Sequence, residues 1–303
     1  MAGRELLTPR HMTSALAIAA QPLVPQTALV IGRNSEAESL LNDSPSAASW
    51  EILRAADNPS AFSLASTQRL GVVFTDREAT AAEGIELLRA LQLTQPAARV
   101  ILLACNASVT EISSAIREHA YTMFARSCDA QALAEIFHLA ATDLRWTDGI
   151  DLVSATREWI RARIRCDRDS ADRWMQFFRE WVADLPGGAG QPIGLAAREL
   201  LDNAIEHGGQ LDPRRFVECS VVRTSRMVAC RIVDPGEGFQ IGRVPHAAID
   251  NPAADPARHV VYRQEHGMRP GGFGVLVARQ SVDELLYNEK GNEALLVKYL
   301  SPA

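Results

Sequence analysis

The sequence has few cysteines, no long apolar run and no excess of positive charge. Its five cysteines form no CxxC pair, which excludes a zinc ribbon, and their odd number argues against a disulfide framework. We therefore expect reduced thiols in a cytoplasmic protein. No apolar run approaches the ~18 residues of a transmembrane helix, so no membrane association is expected. With 31 basic and 37 acidic residues, the net charge of −6 argues against direct nucleic-acid binding.

The chain is long enough for two domains. It has 303 residues, of which 47% are hydrophobic and 22% charged, as is usual for globular proteins. One domain per ~150 residues is a reasonable prior, so two are expected. Residues 1–26 are expected to be a disordered leader. A cleaved signal peptide is the alternative, disfavoured because Pro22 and Pro25 directly follow a short apolar stretch.

Residues 27–146 alternate between short apolar runs and helical patterns. Strands are expected at 27–32, 49–56, 70–76, 99–105 and 121–126, and helices at 84–94, 108–120 and 129–145. Buried apolar strands that alternate with helices predict a parallel five-stranded sheet covered on both faces. The fold class expected for this domain is therefore α/β.

This order resembles the receiver domain of bacterial response regulators, and the resemblance implies a flavodoxin-like topology. Asp76 stands where the family has its phospho-acceptor, and Gly84 opens the next helix. The resemblance fails at the positions of the family's acidic pair, hydroxyl residue and lysine, which here read Gly32-Arg33-Asn34, Ala104 and Arg126-Ser127. Phosphoryl transfer to a carboxylate needs a hard cation, and Asp76 has no obvious acidic partner to hold one. We expect a pseudo-receiver in which Asp76 is a degenerate phospho-acceptor.

A second domain is expected at 150–303. A strand at 157–166 precedes an amphipathic helix at 169–185, and the runs 215–222 and 226–234 predict a β-hairpin. A two-residue loop at Thr224 and Ser225 would place Cys219 directly opposite Cys230 on the buried face.

The run ARELLDNAIEHGG, residues 197–209, is the first chemical motif. Helical spacing places Glu199, Asn203 and His207 along one face, and Gly208 with Gly209 is a typical helix end. An asparagine oxygen suits Mg²⁺, and a glutamate can deprotonate a nucleophile. A solvated polar face is the alternative.

Two glycine-rich motifs follow. In DPGEGF, residues 234–239, Asp234 ends a strand and can accept a hydrogen bond from an exocyclic amine, while Gly236 and Gly238 allow close approach of a flat base. In the run 269–285, three glycines precede an apolar helix, whose first N–H groups can bind phosphate. These glycines are Gly271, Gly272 and Gly274.

Taken together, the three motifs resemble the N, G1 and G2 boxes of the GHKL (Bergerat) ATPases, most closely the anti-sigma-factor serine kinases. The resemblance implies an α+β sandwich with a mixed sheet and helices on one face. It implies ATP and magnesium, with Glu199 as catalytic base, Asn203 on Mg²⁺ and Asp234 on adenine. His207 and the box glycines at 236, 238, 271, 272 and 274 would contact the nucleotide.

The resemblance predicts a bacterial signalling regulator that phosphorylates a serine or threonine of an anti-sigma-antagonist protein. The alternative is a non-catalytic regulator that binds a nucleotide or sequesters a sigma factor. A sensor histidine kinase is disfavoured because residues 145–167 leave no room for a phospho-acceptor hairpin. A homodimer is left open. In the segment 240–270, His246, His259 and His266 lack metal-ligand spacing and are expected to be exposed.

Overall fold

The computed structural model describes residues 25–32, 35–43, 47–125, 130–239, 248, 251–252, 254–266 and 272–301. The expected leader therefore lies almost entirely outside the described residues. None of the described helices combines the length and apolar character needed to cross a membrane.

The N-terminal domain is a five-stranded parallel sheet with helices on both faces. Its strands are β1 (Thr27–Ile31), β2 (Glu51–Ala55), β3 (Val72–Phe74), β4 (Arg99–Leu103) and β5 (Thr122–Phe124). Its helices are α1 (Ser35–Asp43), α2 (Asn58–Ala65), α3 (Ala81–Thr94), α4 (Val109–Arg117) and α5 (Ala130–Thr142). The strand order β2-β1-β3-β4-β5 is that of flavodoxin-like, receiver-like folds, as predicted.

Local sequence signals set where two of these helices begin. Thr80 accepts from the main-chain N–H of Glu83, whose carboxylate accepts from the N–H of Thr80, and Ser108 and Glu111 repeat this capping box at α4. The central strands are buried on both faces, which explains their continuous apolar runs.

The C-terminal domain is a six-stranded sheet. Its strands are β6 (Ile150–Ala155), β7 (Trp159–Arg165), β8 (Phe216–Arg223), β9 (Met227–Val233), β10 (Glu284–Tyr287) and β11 (Glu293–Tyr299), and their order is β10-β11-β9-β8-β7-β6. Every pairing is antiparallel, so the prediction of a mixed sheet is wrong. Hairpins join β6 to β7, β8 to β9 and β10 to β11, and α6 with α7 joins β7 to its neighbour β8. The segment after β9 instead leads to the edge strand β10, and β11 pairs between these two strands. The sequence analysis also missed β6.

Helices cover one face of this sheet, as predicted. They are α6 (Arg168–Val182), α7 (Gly190–Asn203) and α9 (Gly274–Ser281), while α8 (Arg258–Glu265) lies in the segment between the glycine motifs. The aromatic side chains of α6 pack with the inward residues of the strands in one core that extends into the N-terminal domain. Trp174 and Trp181 are the largest of them, and both are buried.

The hairpin of β8 and β9 has a register two residues away from the predicted one. Cys219 lies opposite Ile232, and Cys230 lies opposite Val221. The two loop residues are Ser225 and Arg226. The Thr224 hydroxyl fixes this loop because it accepts hydrogen bonds from the main-chain N–H groups of Arg226 and Met227. An even shift preserves the faces of the strands, so Cys219 and Cys230 are both buried as expected and lie diagonally, with their Sγ atoms 3.8 Å apart.

Candidate active site

Helix α7 presents Glu199 and Asn203 one turn apart, both partly buried. Leu200 and Leu201 between them face the core, which fixes the rotation of the helix. Burial raises the pKa of Glu199, and the nearby carboxylate of Asp202 raises it further. A carboxyl with a raised pKa inside a concave site is the kind of group that serves as a general base.

Arg198 fastens this helix to its neighbour α6. Its Nε donates to Asp202 at 2.8 Å, and its Nη1 pairs with Asp172 of α6. The residues that immediately precede Glu199 and Asn203 are thus tied to each other and to the adjacent helix.

A π-helical turn, Ala204–Gly208, follows α7 directly. Its wider winding ends the 3.6-residue spacing, so the row formed by Glu199 and Asn203 does not extend regularly to His207. The His207 side chain is exposed. Turns of this kind are frequent at functional sites, and this one brings Gly208 against Asp234.

Asp234 follows β9 and is held in a cradle of glycine backbone. A Cβ at Gly208 would overlap the Asp234 carboxylate, and one at Gly236 would come within 2.7 Å of its Oδ1 atom. The N–H of Gly236 donates to Oδ1 at 2.7 Å. Burial raises the pKa of the Asp234 carboxyl, whereas the Gly236 hydrogen bond and Lys290 oppose that rise. Only glycine at 208 and 236 leaves room for this carboxylate.

The glycine-rich run 269–285 contacts the helical motif 197–209 through Gly274, the first residue of α9. A Cβ at Gly274 would lie 2.5 Å from Oε2 of Glu199 and 3.6 Å from Nδ2 of Asn203. Gly272 has φ of +92°, and its carbonyl accepts from the N–H of Ala248 at 2.7 Å. Gly271 lies outside the described residues. The structure therefore brings Gly274 to Glu199 and Asn203, while Asp234 lies beyond the π-turn.

The turn between β10 and β11, residues 288–292, forms a wall beside Asp234 that sequence analysis missed. The N–H of Asp234 donates to the Asn292 carbonyl at 3.0 Å, and the side-chain Nδ2 of Asn292 donates to the Asp234 carbonyl at 3.3 Å. The neighbouring Phe239 and Tyr287 rings pack edge-on at 5.3 Å. Two sequence signals mark this turn: its residues Asn-Glu-Lys-Gly-Asn are typical of turns, and Lys290 is one of only two lysines in the chain.

His259 of α8 is fully buried, so its expected exposure is wrong. Asn251 accepts from the His259 N–H at 3.0 Å with Oδ1, which leaves its Nδ2 as the donor to His259 Nδ1. The ring packs edge-on against Phe273 at 4.4 Å. His266 is exposed as expected and stacks on Tyr262, whereas His246 lies outside the described residues. His259 therefore organises the segment that leads to Gly274.

The amide oxygen of Asn203 could bind a magnesium ion together with phosphate oxygens of a nucleotide. No group of three histidine, cysteine or acidic side chains gathers in a metal-holding arrangement within the described ranges. Asn203 would therefore supply one neutral oxygen, with phosphate and water completing an octahedral shell. A depression of about 280 Å³ on the opposite face of the sheet, lined by Trp159 and Leu295 among others, contains none of these residues.

Asp76 lies just beyond β3, at the carboxyl end of the parallel sheet. Its Oδ1 accepts from the N–H of Glu78 at 3.0 Å. Gly32, with φ of +69°, approaches so closely that a Cβ there would overlap the Asp76 carboxylate. Ala104 is buried at the end of β4. Arg33, Asn34, Arg126 and Ser127 lie outside the described residues.

Comparison with known proteins agrees with this architecture. Residues 156–298 match the family model of the histidine kinase-like ATPase domain. The C-terminal region therefore resembles a histidine kinase-like ATPase domain, and it follows an N-terminal domain of receiver-like topology. No curated protein matches the sequence.

Several solved structures are similar to part of the chain. A response regulator from Burkholderia pseudomallei with a phosphorylated aspartic acid shares 21% identity over 40% of this chain and 69% of that one, with a TM-score of 0.32. The signal receiver domain of an HD domain-containing protein from Pseudomonas fluorescens Pf-5 shares 21% sequence identity over 38% of this chain and 92% of that chain, with a TM-score of 0.33. Chemotaxis protein CheY4 of Vibrio cholerae shares 16% sequence identity over 37% of this chain and 94% of that chain, with a TM-score of 0.32.

Proposed function

We propose that this protein is a cytoplasmic signalling regulator whose C-terminal domain binds ATP with Mg²⁺ and phosphorylates a serine or threonine of a partner protein. The observation that carries the proposal is the convergence of Glu199 and Asn203 on Gly274 at the start of α9. It supplies a base, a metal-binding amide and a helix N-terminus at one place. The family match supports nucleotide binding in this domain.

In the proposed reaction the partner hydroxyl attacks the γ-phosphorus. A new O–P bond forms, the bond to the bridging β–γ oxygen breaks, and ADP leaves. Glu199 takes the hydroxyl proton, which its raised pKa favours. Bound Mg²⁺ would neutralise phosphate charge. Asn203 would hold the ion, Asp234 would accept from the adenine amine, and the glycines of both loops would leave space for the nucleotide.

The resemblance to anti-sigma-factor kinases indicates the partner class. We propose an anti-sigma-antagonist protein as the substrate, with a sigma factor as a further partner. The chain's net charge of −6 gives no support to nucleic acid as the target. A homodimer is part of this proposal, and sedimentation velocity of the full chain with and without ATP tests it.

Calorimetry of ATP binding with and without Mg²⁺ tests the site. Asn203→Ala should abolish magnesium-dependent ATP binding, because it removes the amide oxygen assigned to the ion. Gln191→Ala, an exposed change on the same helix, should bind like the parent. Unchanged affinity in the Asn203 variant would remove the assignment.

Transfer of labelled γ-phosphate to anti-sigma-antagonist proteins tests the reaction. Glu199→Gln keeps the side-chain shape and should retain ATP while losing ~10²–10⁴-fold in rate. If the parent binds ATP and a sigma factor but transfers no phosphate, the non-catalytic regulator becomes the correct interpretation. Transfer at the parental rate by the Glu199 variant would show that another group is the base.

A further inference from the structure

The turn at residues 288–292 and the DPGEGF loop at 234–239 are built against each other through glycines. Gly238 has φ of +82°, and a Cβ there would overlap the carbonyl of Lys290. Gly291 has φ of +79°, and a Cβ there would overlap the carbonyl of Phe239. Each loop therefore occupies the space that a side chain on the other would need, and neither can shift independently.

Lys290 connects this turn to the Asp234 carboxylate through one intervening residue. Its Nζ donates to the carbonyl of Gly236 at 3.1 Å, and the N–H of the same Gly236 donates to Asp234 Oδ1 at 2.7 Å. The ammonium group thus supports the peptide unit that orients the carboxylate, and it places a positive charge beside that carboxylate.

The other ionisable groups around Asp234 do not supply this charge. Cys166, just after β7, and Tyr287, at the end of β10, both lie near it, and burial raises the pKa of each to about 12, so both are neutral near pH 7. Arg215 donates to the carbonyl of Gly208, which packs on Asp234, at the long distance of 3.4 Å. Lys290 is the cation that lowers the pKa of Asp234.

We propose that Lys290 is a positioning residue that holds the loop 234–239 in place and favours the ionised form of Asp234 as the acceptor for the 6-amino group of a purine. An ionised carboxylate only accepts hydrogen bonds, whereas a protonated carboxyl also offers an O–H donor, which a 6-oxo purine can accept. Lys290 therefore contributes to the choice of adenine over hypoxanthine. The nucleotide part rests on the function proposed above.

Titration of Asp234 in the nucleotide-free full chain tests the electrostatic step without ATP. Carboxyl-¹³C aspartate is followed by NMR against pH, with Asp234→Asn identifying the signal. In Lys290→Met the midpoint should move to higher pH, and in Lys290→Arg it should return toward the parental value. Lys298→Met is the matched control, because this second lysine of the sequence pairs with Asp283, just before β10, at 2.9 Å. An unmoved midpoint in Lys290→Met overturns the proposal.

Calorimetry with ATP and with inosine triphosphate over the same pH range tests the consequence. Lys290→Met should weaken ATP binding about two- to fivefold near pH 7, the range expected for one exposed charge. The ratio of ATP to inosine triphosphate affinity should fall at higher pH than in the parent. An equal loss at every pH would overturn the ionisation role. If the parent binds no ATP while the midpoint still moves, the proposed function fails and the action of Lys290 on Asp234 stands.

Discussion

Arg173 of α6 donates from Nε to the main-chain carbonyl of Tyr121 at 2.9 Å, across the boundary between the two domains. Its Nη1 donates to the carbonyl of Trp146 at 2.7 Å, and the guanidinium lies 4.5 Å from the centroid of the Tyr121 ring. Arg173 is only 3% exposed, and Asp143 Oδ2 lies 3.9 Å away. A single buried cation therefore satisfies two carbonyls of the N-terminal domain and couples it to the helix beside α7.

Replacing Arg173 by alanine should destabilise the whole chain. The change removes the guanidinium from the carbonyls of Tyr121 and Trp146 and from the neighbourhood of Asp143, which costs about 2–4 kcal/mol by analogy with other buried polar groups. Urea unfolding of the full chain measures the loss. Arg179→Ala, an exposed arginine of the same helix, should stay within about 0.5 kcal/mol of the parent. Equal stability of the two variants would show that Arg173 does not hold the interface.

Gly274→Ala should separate catalysis from folding. The new methyl group would lie 2.5 Å from Oε2 of Glu199, and the flexible carboxylate can rotate away at little cost in stability. Phosphotransfer should therefore fall at least tenfold while the melting temperature changes little. Gly194→Ala is the control, because its methyl group meets only Arg179 Cγ at 3.9 Å. Parental activity in the Gly274 variant would place the base elsewhere.

The acid limb of the pH–rate profile should report Glu199. Its pKa is raised above 4.5, and the base works only when deprotonated, so the rate should fall as pH drops through that raised value. Asp202→Asn removes a negative neighbour and should move the limb to lower pH, since the remaining charge of Arg198 also favours ionised Glu199. A shift to higher pH in this variant would contradict the assignment.

Cys219 and Cys230 should stay reduced and react slowly in the folded chain. Their Sγ atoms are 3.8 Å apart but both side chains are buried, and burial with the contact between them raises the pKa of Cys230. Cys105 is exposed and should be the first described thiol to react with maleimide. Mass spectrometry after timed labelling gives the order. Early modification of Cys219 in folded protein would show that the helices do not cover this hairpin.

Asp76 should not accept phosphate from small donors. Gly32 packs against its carboxylate where receivers carry an acidic residue, so no side chain there can help to hold magnesium. Acetyl phosphate should leave no acyl phosphate detectable by mass spectrometry, and beryllofluoride should not bind. Asp76→Asn provides the blank for both measurements. A phosphorylated Asp76 would establish an active receiver.

Much of the fold was predictable because its signals are local. The alternation of apolar strands with helices gave the receiver-like topology, and capping pairs such as Thr80 with Glu83 mark helix starts. The helical motif and the two glycine-rich motifs also predicted an ATPase domain, because their residue types follow from the chemistry of the site. β6 was missed because its exposed edge alternates only weakly.

The tertiary structure decided whatever depends on contacts between distant segments. Hydrogen bonds of the Thr224 side chain set the β8–β9 register, which differs by two residues from the predicted one and leaves the same side chains in the core. The burial of His259 needed Asn251 and Phe273 to close around it, and Lys290 reaches Gly236 only because β11 pairs with β9. Sequence by itself determined the fold classes and the chemical inventory of the site, because periodicity and residue type are properties of short segments. Only tertiary structure decided which groups face one another, because burial and Coulomb interactions depend on distance in space.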